Sequence, residues 1–144
     1  MKSLITTINY PQSKTRIELG NSLVRKIAKD SHLRFYSSIH IVIDAKVARL
    51  HGRKLLKPLL SEKTFYVLPS GEKQKSVSSA GKLLRWLHDR GADRKSLLIA
   101  IGGGVVTDLA GFAASTYMRG IEYISLPTTL VGQVDAAIGG KTAI

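Results

Sequence analysis

Ser96-Leu97-Leu98-Ile99-Ala100-Ile101 runs directly into Gly102-Gly103-Gly104, and these lead into Val105-Val106-Thr107-Asp108-Leu109-Ala110-Gly111-Phe112-Ala113-Ala114. No other stretch constrains the fold as tightly. A short apolar run without polar alternation is a strand buried on both faces, which demands helices above and below its sheet. The glycines leave the backbone open to a ligand, and their φ freedom permits a sharp turn. A helix over 108–114 then brings uncapped N–H groups and about half a positive charge to the turn. The pattern departs from Gly-x-Gly-x-x-Gly, because the last position counted from Gly102 is Thr107. A tight strand-to-helix turn with no ligand is the alternative reading of the triplet alone.

The following segment adds to the case. Glu122–Leu126 reads as a second strand, ended by Pro127-Thr128-Thr129, and Gln133, Asp135 and Gly139-Gly140-Lys141-Thr142 come soon after. Polar groups gathered at the carboxyl ends of adjacent strands are what a nucleotide site in an α/β sheet requires. Upstream, Leu4–Ile8 and Thr15–Leu19 read as short strands around a turn at 10–13. Gly20-Asn21 offers a stop and an N-cap for a helix over Ser22–Lys29. Ile39–Ile43 is the next strand, with Asp44 at its carboxyl end. There an acid can accept from a ribose hydroxyl, cap a helix over Ala45–Leu50, or do both. A basic amphipathic helix over Lys54–Leu60 precedes a strand at Thr64–Leu68. Pro69-Ser70-Gly71-Glu72-Lys73-Gln74-Lys75 is the turn after it, where Glu72 and Lys75 can grip a ribose and an anionic neighbour or stand as solvated charge. Ser76–Arg90 is the clearest helix, with Val77, Ala80, Leu83, Leu84 and Leu87 on one face, Trp86 and His88 off that stripe, and Gly91 as its stop.

The order β-β-α-β-α-β-α-β-α-β-α predicts one α/β domain over 1–144. It is a Rossmann-like, mostly parallel sheet with helices on both faces. At 144 residues the chain can bury a real core. No apolar run approaches the ~20 residues of a membrane span, no signal peptide opens the chain, and no cysteine is present for a disulfide or thiolate site. A cytoplasmic protein is expected. The net charge of +12 raises nucleic acid as a partner. Residues 101–144, however, hold two basic and three acidic side chains, whereas residues 1–100 hold twenty and seven. The basic residues are scattered, with no arginine-rich block and no interleaved aromatics, so a solvated basic surface is the expected reading.

Several chemistries are disfavoured by spacing. His32, His40, His51 and His88 include no His-x-x-x-His pair, so no metal site is expected. No serine sits in a Gly-x-Ser-x-Gly elbow. A P-loop ending at Gly140-Lys141-Thr142 would need its first glycine where Asp135 stands. Lys141 is better read as a lone cation for an anionic substrate.

Gly102–Ala114, Tyr117-Met118-Arg119-Gly120, Leu126–Leu130, Gln133–Thr142 and, upstream, Leu68–Ser76 together resemble the 3-dehydroquinate synthase family in order and spacing. The resemblance implies that Asp44, Gly71, Glu72 and Lys75 meet the adenosine half of NAD. It places Gly103, Gly104, Val105 and Asp108 on the diphosphate and adjacent ribose, and Thr128 and Thr129 near the nicotinamide half. Asp135 and Lys141 would reach substrate hydroxyl or carboxylate groups, and Arg119 a phosphate across the interface of a homodimer. The implied reaction closes 3-deoxy-D-arabino-heptulosonate 7-phosphate to 3-dehydroquinate with loss of phosphate, in the shikimate route to aromatic amino acids. NAD is reduced and reoxidised within the turnover, and zinc or cobalt polarises the reacting oxygens. The family's metal ligands lie in a helical C-terminal domain outside residues 1–144, so this chain reads as the NAD-binding part of a longer enzyme and alone is expected to be inactive. Three departures stand out: Lys46 where an asparagine is common, Thr107 at a usual glycine, and Ala136-Ala137 for a usual pair of serines. The threonine is expected to crowd the turn. Rival readings are a sugar-phosphate cyclase resembling 2-deoxy-scyllo-inosose synthase, a polyol dehydrogenase of related architecture, and a basic binding module without catalysis.

Overall fold

A computed structural model describes residues 3–10, 13–57, 64–138, 142 and 144. Lys141, with Gly139 and Gly140, lies outside the described residues, as does the continuation of the basic helix over 58–60.

Leu97–Gly102 (β5) is buried along its whole length. Its side chains divide by parity: Leu97, Ile99 and Ile101 join Ile41 and Ile43 in one core, and Leu98 and Ala100 join Val42 and Leu68 in the other. A strand whose two faces are both apolar must sit inside a sheet covered on both sides. It pairs in parallel with Ile39–Asp44 (β3) on one side and Glu122–Pro127 (β6) on the other, while β3 pairs in parallel with Thr64–Leu68 (β4). The order across the sheet is β4-β3-β5-β6. From the β3/β5 boundary the chain thus winds outward in opposite directions, and crossovers of one hand then place their helices on opposite faces. That is the arrangement found. Ala45–Leu56 (α2) and Leu23–Ala28 (α1) pack on the core of Ile41 and Ile43, whereas Val77–Asp89 (α3) and Gly104–Thr116 (α4) pack on the core of Val42 and Leu98.

Local signals account for the helix ends. Ser76 caps α3 by accepting from the N–H of Ser79 at 3.2 Å. At the other end Gly91 adopts φ 69°, the Ala92 N–H bonds Leu87 O at 3.0 Å, and the Gly91 N–H bonds His88 O at 2.9 Å. This pairing satisfies the orphan carbonyls that a helix otherwise leaves. Helix α1 departs from expectation: Ser22 is its N-cap, in a left-handed conformation with no side-chain cap bond.

Leu4–Tyr10 (β1) and Ser13–Leu19 (β2) pair antiparallel in a separate two-stranded sheet. Trp86, expected off the apolar stripe, packs inward against His40 of β3. His40 is 1% exposed, its ring nitrogens lie 2.8 Å from Ser38 Oγ and 2.6 Å from Thr64 Oγ1, and Trp86 packs edge-on against it at 5.6 Å. The stripe that includes Leu83 and Leu87 extends through Trp86 over the strand below, which explains why an indole lies inward there.

Candidate functional site

Where a doubly wound sheet reverses direction, the two loops leaving the central strands separate and open a crevice at their carboxyl ends. Here those strands are β3 and β5, and a cleft of ≈ 320 Å³ opens there, within the ~300–1,000 Å³ range of ligand sites. It is lined by Asp44, Lys46 and Val47 from one side, Ser70 and Gly71 from the tip of β4, Gly103–Val106 at the start of α4, and Thr128 and Thr129 after β6.

The three glycines do different work, and none has a positive φ. A Cβ on Gly102 would lie 2.7 Å from Val106 Cβ and 3.2 Å from Asp44 Cβ, so this glycine lets α4 press against β5. A Cβ on Gly103 would lie 3.1 Å from Thr129 Cγ2. At Gly104 the nearest atom is Ala136 Cβ at 3.9 Å, so a side chain there finds room in the protein and would occupy the cleft instead. The expected sharp turn through unusual φ is therefore absent. Close packing requires the first glycine, and an open backbone is what the third supplies.

Helix α4 has no side-chain cap. Gly103 O accepts from the N–H groups of Val106 and Thr107, each at 3.1 Å, and among the described residues no hydrogen bond uses the N–H of Gly104 or Val105. These are the donors that a helix start leaves free, and they lie in the cleft wall. Thr107 does not crowd them. It is 3% exposed, and its hydroxyl donates to Gly104 O at 3.1 Å. Its own carbonyl accepts from Tyr123 at 2.8 Å. The usual back-bond of a helical threonine thus turns the side chain away from the cleft, overturning the expected obstruction.

Asp44 holds the capping role foreseen for it. It caps α2 by accepting from the N–H of Lys46 at 2.8 Å and of Val47 at 3.1 Å, and it lines the cleft. Glu72, Lys75 and Asp108 come together with one another, outside the cleft lining. Lys75 Nζ lies 2.8 Å from Asp108 Oδ2 and 3.7 Å from Glu72 Oε1. The hydrogen bond that Lys75 donates to Asp108 holds the Lys75 ammonium above its ordinary pKa. It ties the loop after β4 to the second turn of α4.

Beyond Thr129, Gly132–Ala136 forms a single π turn over the glycines, in which Asp135 is exposed and Gln133 Nε2 donates to Pro127 O at 3.3 Å. Thr129 Oγ1 accepts from the N–H of Gly132 at 3.1 Å. Arg119 stands apart from all of these. It ends the turn Tyr117–Arg119 beyond α4, roughly 20 Å of helix from the glycines. Lys46, Val47, Ser70 and Val106 complete the lining and are additions to the expected set. For Ser70, a hydroxyl at a strand tip directly before a glycine was the available signal. Among the described residues no group of three His, Asp or Glu side chains is placed to hold a metal.

Residues 65–144 match the family model described as 3-dehydroquinate synthase N-terminal. The chain is 44% identical over 138 residues to the 3-dehydroquinate synthase of Dictyoglomus turgidum, covering 96% of this chain and 38% of that one. Among solved structures it is similar to 2-deoxy-scyllo-inosose synthase complexed with carbaglucose-6-phosphate, NAD+ and Co2+. That likeness has a TM-score of 0.76 at 21% identity over 90% of this chain and 36% of the other, and bears on the fold. It is also similar to the 2-epi-5-epi-valiolone synthase of Streptomyces hygroscopicus subsp. jinggangensis with NAD+ and Zn2+ bound, with a TM-score of 0.69 at 34% identity, covering 82% and 34%. The chain spans 32% to 40% of the length of the curated relatives that it matches. Ordered motifs, a sheet that reverses at β3/β5 and a family match over more than half its length agree: this chain belongs to the 3-dehydroquinate synthase family and corresponds to its N-terminal domain.

Proposed function

We propose that this chain is the NAD-binding domain of a 3-dehydroquinate synthase and holds the dinucleotide across the β3/β5 crevice. The observation that carries this reading is the open wall at Gly104 and Val105, whose N–H groups have no partner among the described residues and which line one cleft with Asp44. The residues fit the cofactor. A Cβ at Gly104 would fill the space a diphosphate needs, and the free amides supply donors to its oxygens. Asp44 offers a carboxylate to the adenosine ribose. Gly71, with φ 120°, shapes the loop beside it. The Lys75–Asp108 pair steadies that loop against α4, with Glu72 on its outer side. Thr128 and Thr129 line the end of the cleft where the nicotinamide half would lie. When bound, NAD supplies reversible acceptance of hydride from one substrate alcohol.

In the same reading, Asp135 and Lys141 meet the seven-carbon substrate. Arg119, too far from its own cleft, serves the phosphate of a second copy in a cytoplasmic homodimer. Zinc or cobalt belongs, as the family resemblance implies, to a further, helical domain. The exposed Leu130, Val131 and Val134 beside the cleft suit the surface such a domain would cover. The 34% identity to a valiolone synthase favours, as a second reading, a sugar-phosphate cyclase with the same cofactor role and a different substrate.

Calorimetry of the purified chain with NAD and NADP tests the cofactor assignment. NAD binding, weak and tighter than NADP, is expected, because Asp44 repels a 2′-phosphate. Equal or tighter binding of NADP would remove Asp44 from the ribose. Steep weakening with salt, as a counterion-driven basic surface would show, would favour a binding module instead.

A further inference from the structure

Asp44 Oδ1 collects three donors at the tip of β3. Two are the amides of its own helix cap, Lys46 at 2.8 Å and Val47 at 3.1 Å. The third arrives from the neighbouring strand: Ser70 Oγ donates at 2.8 Å, and the same oxygen accepts from the Lys46 N–H at 3.2 Å. Ser70 therefore closes a small ring with the acid and the first turn of α2, and all three residues line the cleft. Gly71 turns the chain immediately afterwards. A Cβ there meets nothing within 4 Å, so its φ of 120°, and not lack of space, calls for glycine.

A carboxylate oxygen has about two lone-pair sites, so three donors use up Oδ1. Whatever Asp44 offers a ligand must come through Oδ2. Rotation about the terminal torsion of an aspartate is broad and nearly two-fold, and two amides from one helix turn leave the carboxylate room to swing. A donor from a second strand removes that freedom.

We infer that Ser70 is a positioning residue: by fixing Asp44 Oδ1 it presents Oδ2 as a single, oriented acceptor, and so sets the preference for a sugar 2′-hydroxyl over a 2′-phosphate. The inference rests on the NAD reading above and adds a residue to it that acts through another. An oriented anion gains one short hydrogen bond from a hydroxyl, and it repels a phosphate at the same spot. A swinging one gains less from the first and avoids more of the second.

The test compares the wild-type chain with Ser70→Ala and Ser70→Thr by calorimetry against NAD and NADP, with thermal melting of each. The alanine variant is expected to bind NAD about fivefold more weakly and NADP within twofold of wild type, narrowing the preference. The threonine variant keeps the hydroxyl and restores the ratio. Both should melt within about 2 °C of wild type, because the amides still cap the acid. An unchanged preference in the alanine variant overturns the inference and leaves the NAD reading standing. So does a loss that the threonine variant shares, or one matched by a fall in melting temperature. A wild-type chain that binds no NAD overturns both.

Discussion

Replacing Gly104 with valine separates a ligand-bearing glycine from a packing one. In the structure the new Cβ would meet only Ala136 Cβ, at 3.9 Å, and the residue opens α4, where ordinary side chains are well tolerated. Helix propensity moves in favour of valine by a few tenths of a kcal/mol, so the net effect on folding should stay below about 1 kcal/mol. Binding is another matter. The branched side chain would stand over the free N–H groups of Gly104 and Val105, and each charge-assisted bond to a diphosphate contributes about 1.5–3 kcal/mol. Losing both weakens NAD by at least about a hundredfold. The companion change Gly102→Val behaves oppositely. Its Cβ would sit 2.7 Å from Val106 Cβ, which belongs to the stiff base of a side chain on α4, so the helix must lift from β5 at a cost of about 1–3 kcal/mol or more. Calorimetry with NAD and urea melts of the two variants give the readout. A Gly104→Val protein that melts with wild type and binds NAD unchanged would refute the argument and leave the glycine turn with a packing role alone.

Two further outcomes follow from buried polar groups. Desolvation, and then the charge of Arg90, depress the His40 pKa below its usual 6.5, against a smaller upward pull from Asp93. The unfolded chain therefore takes the proton first as pH falls, so stability is complete above about 6.5 and declines below it. Urea melts should show wild type weaker at pH 5.5 than at 7.5, and His40→Gln without that loss; equal slopes would exclude His40 as the cause. Thr107→Gly, which restores the commoner residue, should lower stability by roughly 1–2 kcal/mol through lost burial and a flexible helix interior. Its NAD affinity should stay within twofold of wild type, and a fivefold gain would show that the threonine does obstruct the turn.

The sheet was readable because its signals are local. β3, β4, β5 and β6 lie within a residue of the runs Ile39–Ile43, Thr64–Leu68, Ser96–Ile101 and Glu122–Leu126, since short runs rich in β-branched, aromatic and other apolar residues mark strands, buried along the whole length in β5 and only partly in β4 and β6. Helix α3 was legible from its apolar stripe and its glycine stop, while Ser76, read as its first residue, is its cap. What local pattern could not supply was contact across the sheet. The bond from Ser70 to Asp44 joins residues 26 apart, and it exists because β4 happens to lie beside β3. The Lys75–Asp108 pair likewise needs the loop after β4 to reach α4. The separate pairing of β1 and β2 depends on which strand edges the rest of the chain leaves free, a property of the whole fold.

The glycine triplet shows the same limit at the scale of single residues. In sequence Gly102, Gly103 and Gly104 are equivalent, and φ freedom explains any of them. In space Gly102 faces a valine and an aspartate, Gly103 a threonine, and Gly104 the open cleft, while Thr107 points back into its helix. A residue's role at this turn follows from which direction its Cβ would take, and that is fixed by the helix pressing on β5. The strand, buried on both sides, dictates how close the helix must come. That approach makes Gly102 obligatory for the fold, and it leaves the next free amides, at Gly104 and Val105, as the surface on which a ligand can act.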